Sequence, residues 1–165
     1  MSVWFRRLIL ILTIGGGFVG IVAVTIRIFA HSNHFTTYVV LLVVGALYGY
    51  GILIGLKLSE RAVPLRHLRV YFSLQIPVVS SPLVVYQFCS GLQATVVILP
   101  GLGWQWRLGS EWHVAILSRA SWGCGVNFVA AIIVLLLYSR WAHNSASPDR
   151  RAAGRHMIRS ATTLD

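Results

Sequence analysis

Long runs without charge set the rhythm of this chain. Leu8 to Ile26 is 19 residues without Asp, Glu, Lys or Arg, between Arg7 and Arg27. Ile28 to Leu56 is 29 such residues, polar only near its start at His31, Asn33 and His34. Val70 to Trp106 is 37, and Ala120 to Ser139 is 20. A helix crossing the hydrocarbon core needs about 20 apolar residues. The first, second and fourth runs therefore predict one span each. The third is too short for two crossings and a turn, which take roughly 42 residues, so it predicts one span followed by a non-spanning segment. The expected fold is an all-α integral membrane protein, a bundle of four transmembrane helices over about 8–27, 36–56, 71–92 and 120–139. Residues 1–141 form the membrane domain. Residues 142–165 turn to Ser, Ala, Pro and Arg and read as a basic, disordered tail.

The first span competes with a signal peptide. Arg6 and Arg7 fit a basic leader, but the apolar run exceeds the usual 7 to 15 residues. Arg27 and Ile28 make a poor cleavage region, so the segment reads as a retained span. Between the third and fourth spans the pattern changes. Thr95 to Leu99 is β-branched and apolar, Pro100-Gly101-Leu102-Gly103 is a turn signal, and Trp104 to Leu108 alternates. This predicts a small Trp-rich outer hairpin at headgroup level, with an interfacial helix as the alternative.

Composition narrows the class. Hydrophobic residues make up 56% and charged residues 11%, with mean hydropathy +0.73, against about 25% charged in soluble chains. A water-soluble enzyme, a disordered chain and a disulfide scaffold are excluded. The net charge of +10 first raises nucleic acid as a partner, but its distribution argues otherwise. With four spans, eleven basic residues fall on the side of both termini, and only Arg27, Arg107 and Arg119 on the other. That is the positive-inside pattern. It predicts a multi-pass protein of the cell inner (plasma) membrane with both termini cytoplasmic and no nucleic-acid partner. Arg151, Arg155 and Arg159 serve orientation first, with docking to anionic lipid as the alternative. The expected partners are membrane lipids, a second copy of the chain or another membrane protein.

Chemistry is sparse. Short of the span ends, no Asp, Glu, Lys, Arg or His lies inside a predicted span, which disfavours proton relays and intramembrane metal sites. His31, His34, His113 and Glu111 share the outer side without tight ligand spacing. No catalytic residue, metal or cofactor is assigned, and the chain does not read as an enzyme. Glycine is the positive signal. Gly16 and Gly20 in the first span, and Gly45/Gly49 and Gly51/Gly55 in the second, form small-xxx-small pairs that let helices approach closely. The third span is kinked and polar, with Gln75, Pro77, Ser80, Ser81, Pro82 and Gln87. Asn127 reads as an interhelical hydrogen bond. Cys89 and Cys124, at similar depth, are expected to stay unpaired. The function expected is binding or scaffolding through glycine-rich packing and the outer Trp-rich loop. The alternative is a small-solute transporter or oligomeric pore using the kinked third span.

Overall fold

A computed structural model describes residues 2–30, 35–60, 65–98, 102–116 and 120–145. Helix α1 (Val3–Leu10), a π-helical turn (Ile11–Gly15) and α2 (Gly16–Ala30) make one continuous rod. Helix α3 (Phe35–Ser59) returns antiparallel beside it. Val3–Ala30 and Phe35–Ser59 are each long and apolar enough to cross a membrane. The two helices meet through glycine. The Tyr48 ring lies over Gly20, and Thr13 and Ile14 lie against Gly55. At the far end the Arg6 guanidinium donates to Leu58 O at 2.9 Å and Ser59 O at 2.6 Å, placing a cation on the last carbonyls of α3.

Beyond this hairpin the chain is not a helix bundle. Helix α4 (Leu65–Ser73) is followed by strands β1 (Pro77–Ser80), β2 (Val84–Cys89), β3 (Leu92–Val97), β4 (Gly103–Leu108), β5 (Glu111–Ile116) and β6 (Gly123–Asn127), and then by α5 (Phe128–Ser145). The strands form one antiparallel sheet in the order β4-β3-β6-β1-β2-β5. The all-α four-helix expectation is therefore corrected to a mixed fold of helices around a six-stranded sheet.

Two predicted spans account for the difference. The segment 71–92 becomes the end of α4, β1, β2 and the turn after it. Ile76 precedes Pro77, which disfavours helical geometry, and Val78-Val79 and Val84-Val85-Tyr86 are β-branched or aromatic. The segment 120–139 divides at Asn127 into β6 and the start of α5. An apolar run without charges does not by itself separate a buried strand from a helix. The Trp-rich hairpin exists as β3–β4, but as two strands of the larger sheet rather than a separate lid. Residues 146–165, most of the predicted tail, lie outside the described residues.

The sheet is curled, and its short links require it. Ser90-Gly91 joins β2 to β3, although β1 and β6 lie between them. Gly109-Ser110 joins β4 to β5, the opposite edges of the sheet. Three peptide steps reach about 11 Å. Five strand spacings in a flat sheet would put those edges about 24 Å apart. Both links need left-handed backbone, with φ of +92° at Gly91 and +121° at Gly109, which glycine adopts without strain. The sheet is thus a cup whose floor is these two turns.

The floor rests on the middle of the α1–α2 rod. A Cβ on Gly16 would lie 2.5 Å from Ser90 Oγ and 2.7 Å from the Ser90 backbone carbon. Ser90 Oγ donates to Leu12 O at 2.9 Å, and Ser110 Oγ donates to Gly16 O. Leu12 belongs to the π-helical turn, whose changed hydrogen-bond spacing accompanies this side-chain contact. Above the floor, Phe88 of β2 packs on Tyr48 with ring centroids 4.9 Å apart, and Tyr48 Oη donates to Cys89 O at 3.0 Å.

Candidate functional site

Strand register sorts the side chains onto two faces of opposite character. Alternate residues of a strand point to opposite sides. Pairing Gln93↔Arg107, Thr95↔Gln105 and Thr95↔Asn127 puts these residues on one face. Pairing Ser80↔Val85, Gln87↔His113 and Cys89↔Glu111 continues that face across the other strands. Every Ser, Thr, Asn, Gln, His, Arg and Glu of the strands lies on it. The opposite face carries Val79, Val84, Val96, Trp104, Trp106 and Leu108, with Phe88, Trp112 and Val114 at its other end.

The polar face is the inner one. Its centre is buried, with Gln93, Thr95, Asn127 and Cys89 between 0% and 3% exposed, and Gln105, Arg107 and His113 on the two edge strands are open; on the other face Trp104, Trp106 and Leu108 are 62%, 70% and 82% exposed. This inverts the usual order, in which a sheet turns its apolar side to the core and its polar side to water. The β2–β5 end of the apolar face is covered: Phe88 packs on Tyr48 of α3 and Tyr71 of α4, and Trp112 and Val114 lie beside α2 and α3.

Inside the cup the polar groups bond to one another across the curl. Gln87 Nε2 donates to Gln93 Oε1 at 3.3 Å, and Gln93 Nε2 donates to Thr95 Oγ1 at 2.7 Å. At the floor, Ser90 N donates to Gln75 Oε1 at 3.0 Å. Asn127 Oδ1 accepts from Ala94 N at 3.4 Å and from Val129 N at 3.2 Å. Asn127 therefore caps α5 and ties it to β3, in place of the interhelical bond expected. Gln75 Nε2 and Asn127 Nδ2 are buried with no oxygen or nitrogen acceptor among the described residues. Arg107 of β4 and Glu111 of β5 form an ion pair across the otherwise unpaired seam between the sheet edges.

The structure divides the sequence-predicted residues clearly. Gln75 and Gln87 join the buried polar network, and Ser80 lies on the same inner face near the mouth, its hydroxyl donating to Ser121 O at 2.9 Å. Ser81 Oγ donates to Val84 O at 2.9 Å, closing the β1–β2 turn that contains Pro82. Pro77 opens β1 on the apolar face, paired with Val126. None of the six kinks a helix. Among the glycines, Gly16, Gly20, Gly51 and Gly55 are in close contact, Gly51 with the Tyr71 hydroxyl. Gly45 meets only Val24 at 3.7 Å, and Gly49 meets nothing within 4 Å. Cys89 and Cys124 are both free thiols, one buried on the inner face and one exposed on the outer, so they cannot bridge to each other.

Sequence reading missed Gln93, Thr95, Arg107 and Glu111 as one surface. The signal was the alternation at Trp104–Leu108, which extends through Gln93 and Thr95. Among the described residues no three His, Cys, Asp or Glu side chains come together to hold a metal. Comparison with family models, curated proteins and solved structures finds no match to this chain.

Proposed function

We propose that this is an integral membrane protein that works by binding, with its curled sheet in the outer half of the bilayer and both termini cytoplasmic. One observation carries the reading: the sheet buries the polar side chains at its centre, Gln93, Thr95 and Asn127, while Val79, Val84, Trp104, Trp106 and Leu108 of its apolar face are exposed. In water that surface would be an aggregation hazard. In lipid it is the required arrangement, as in transmembrane barrels with apolar exteriors and polar interiors. The two long helices agree with this. Ile11, Phe18, Phe29, Phe35 and Leu42, spread around the hairpin, are 65% to 86% exposed. A core helix of a soluble protein would be covered. The contacts of Gly16 and Gly20 with the sheet and with α3 argue that Val3–Ala30 is a working part of the fold rather than a removable leader.

On this reading two crossings are composite. Six-residue strands rise about 20 Å, about half of a bilayer with its headgroups. Helix α4 leads up to β1, and β6 leads down into α5. The lower half carries the basic contacts, Arg6 on the end of α3 and Arg69 over the Tyr138 ring at 4.8 Å. That matches a cytoplasmic side. The open Gly45/Gly49 face of α3 supports the scaffolding form of binding, with a second copy or another membrane protein packed there.

Brominated lipids test the placement. Trp104 or Trp106, kept as the single tryptophan in proteoliposomes, should be quenched by acyl-chain bromines and not by aqueous iodide. The reverse result refutes it. In a Cys124→Ser background, Leu102→Cys should react with an impermeant maleimide on intact cells and Glu60→Cys should not. A second reading is passage of a small polar solute through the cup, supported by the buried Gln75 amide donor, which has no acceptor among the described residues. It predicts solute-dependent stabilisation of the lone protein, which the scaffolding reading does not.

A further inference from the structure

Two neighbouring clefts lie on the outer half of the helical hairpin, against β5. One, of about 380 Å³, lies between Ala23 and Arg27 of α2 and the Ser110–Val114 segment. The other, of about 590 Å³, lies between Phe35, Val39 and Val40 of α3 and Trp112, Val114 and Ala115 of β5. Trp112 and Val114 line both. The first cleft is polar and the second mainly apolar, so together they make an amphipathic site of ligand size.

Charge decides what the polar end would take. Glu111 is already paired with Arg107. Arg27 forms no ion pair among the described residues and is the one Lys or Arg in the lining of this cleft, which it shares with the Arg107-held Glu111 carboxylate and the His113 ring. Its guanidinium suits the oxygens of a phosphate or carboxylate. A free anion would use this end and leave the larger apolar cleft empty. A molecule joining an anionic head to a hydrocarbon chain uses both.

We propose that the α2–α3–β5 cleft binds an anionic membrane lipid, its head at Arg27 and one acyl chain between Phe35 and Val39 of α3 and Trp112 and Val114 of β5. The inference rests on the membrane placement argued above for the supply of this ligand and names the ligand class that goes with it. The position of Arg27 at the outer end of its helix puts the head where headgroups lie, and the chain then points along α3 into the bilayer.

The test uses the full chain in a nonionic detergent, titrated with lysophosphatidylglycerol, lysophosphatidylcholine or inorganic phosphate and followed by Tm. Lysophosphatidylglycerol should bind about tenfold more tightly than lysophosphatidylcholine, the equivalent of one charged hydrogen bond. Arg27→Gln should remove that preference and leave the ligand-free Tm unchanged, and Arg27→Lys should keep most of it. Val39→Trp, which fills the apolar cleft, should abolish the response to both lipids; Val40→Phe is the substitute if that variant does not fold. Equal affinity for the two lipids, or an unchanged preference in Arg27→Gln, overturns the proposal. A rise with phosphate equal to that with lysophosphatidylglycerol also overturns it and identifies a free-anion site. Failure of the brominated-lipid test with success here would separate the two readings.

Discussion

The helical hairpin and the curled sheet solve the same problem by opposite means. Both present apolar side chains to their surroundings. The hairpin satisfies its backbone internally, because every helical amide bonds along its own chain, so its side chains can be apolar all round. A sheet satisfies its backbone only through neighbours, and its edges remain open. Here the sheet curls until β4 and β5 approach, and it collects the polar side chains on the inside. The difference teaches that exposed apolarity has two sequence signatures. In a helix it is a continuous run; in a strand it is every second residue. Trp104, Trp106 and Leu108 carry it on β4, and Gln105 and Arg107 between them do not.

The largest expected effect tests that alternation. Leu108→Arg puts a charge on the outer face at the floor of the cup, level with Gly16. On the proposed placement, in lipid near the midplane, this costs about 2–4 kcal/mol. Gln105→Arg, on the same strand but the other face, should stay within about 0.5 kcal/mol, as surface changes do. Denaturant unfolding in liposomes reads both. Equal and small effects would mean that the outer face meets water, and the contrast between the two regions would collapse.

Within the hairpin the comparison is between glycines. Gly20→Leu drives a branched side chain into the Tyr48 ring, and overpacking costs about 1–3 kcal/mol. Gly49→Leu meets nothing within 4 Å and should leave the monomer within about 0.5 kcal/mol of wild type. The readouts separate: thermal unfolding for Gly20, copurification or self-association for Gly49. A Gly49→Leu protein that associates like wild type removes the scaffolding role from the open face.

The two regions were not equally legible. The two helices of the hairpin lie where hydropathy put them, although runs of similar length and apolarity at 71–92 and 120–139 hold strands, so apolarity alone did not decide between the two. Gly16, Gly20, Gly51 and Gly55 were recognisable as packing sites from spacing alone, but spacing did not say that Gly16 meets a strand turn or Gly51 a tyrosine. The sheet was half visible. Trp104 to Leu108 alternated openly, and the turn at Pro100–Gly103 marked the hairpin. Val84 to Cys89 was concealed, because one of its faces is apolar and the other holds Val85 and Cys89 around a single Gln87. Gln75 and Gln87 were noticed as amides in an apolar run, yet a helix cannot bring them together with Gln93 and Thr95. That gathering depends on a curl set by Gly91 and Gly109, and long-range pairing leaves no local mark in sequence.

A smaller effect is expected where sheet and helix join. Asn127 caps α5 with the same oxygen that accepts from Ala94 N. Asn127→Ala loses both bonds, and loss of a cap typically costs about 1 kcal/mol, with up to about 2 in favourable sites. Asn127→Asp keeps the acceptor and should recover part of the loss in the cap, although it brings a charge to a buried position. If Asn127→Ala unfolds at the wild-type temperature, the strand-to-helix junction is not held by this side chain, and the packing of α5 on α4 and β3 positions it.

The smallest effect belongs to the seam. Arg107 and Glu111 are the charged pair that spans the gap between the sheet edges, with side chains 59% and 34% exposed. A pair that open to solvent contributes about 0–1 kcal/mol and weakens with salt. Arg107→Gln, Glu111→Gln and the double variant should therefore each lie within about 1 kcal/mol of wild type, with a coupling that shrinks between low and high ionic strength. A buried pair behaves differently, because removing one partner strands the other charge at a cost of about 3–5 kcal/mol. A large single-variant loss that the double variant recovers would mean that the seam is closed to water and that lipid or α2 covers it. A small, salt-sensitive coupling would mean that water reaches the inner face between β4 and β5. The outer surface would then stay in hydrocarbon while the inner surface stays wet.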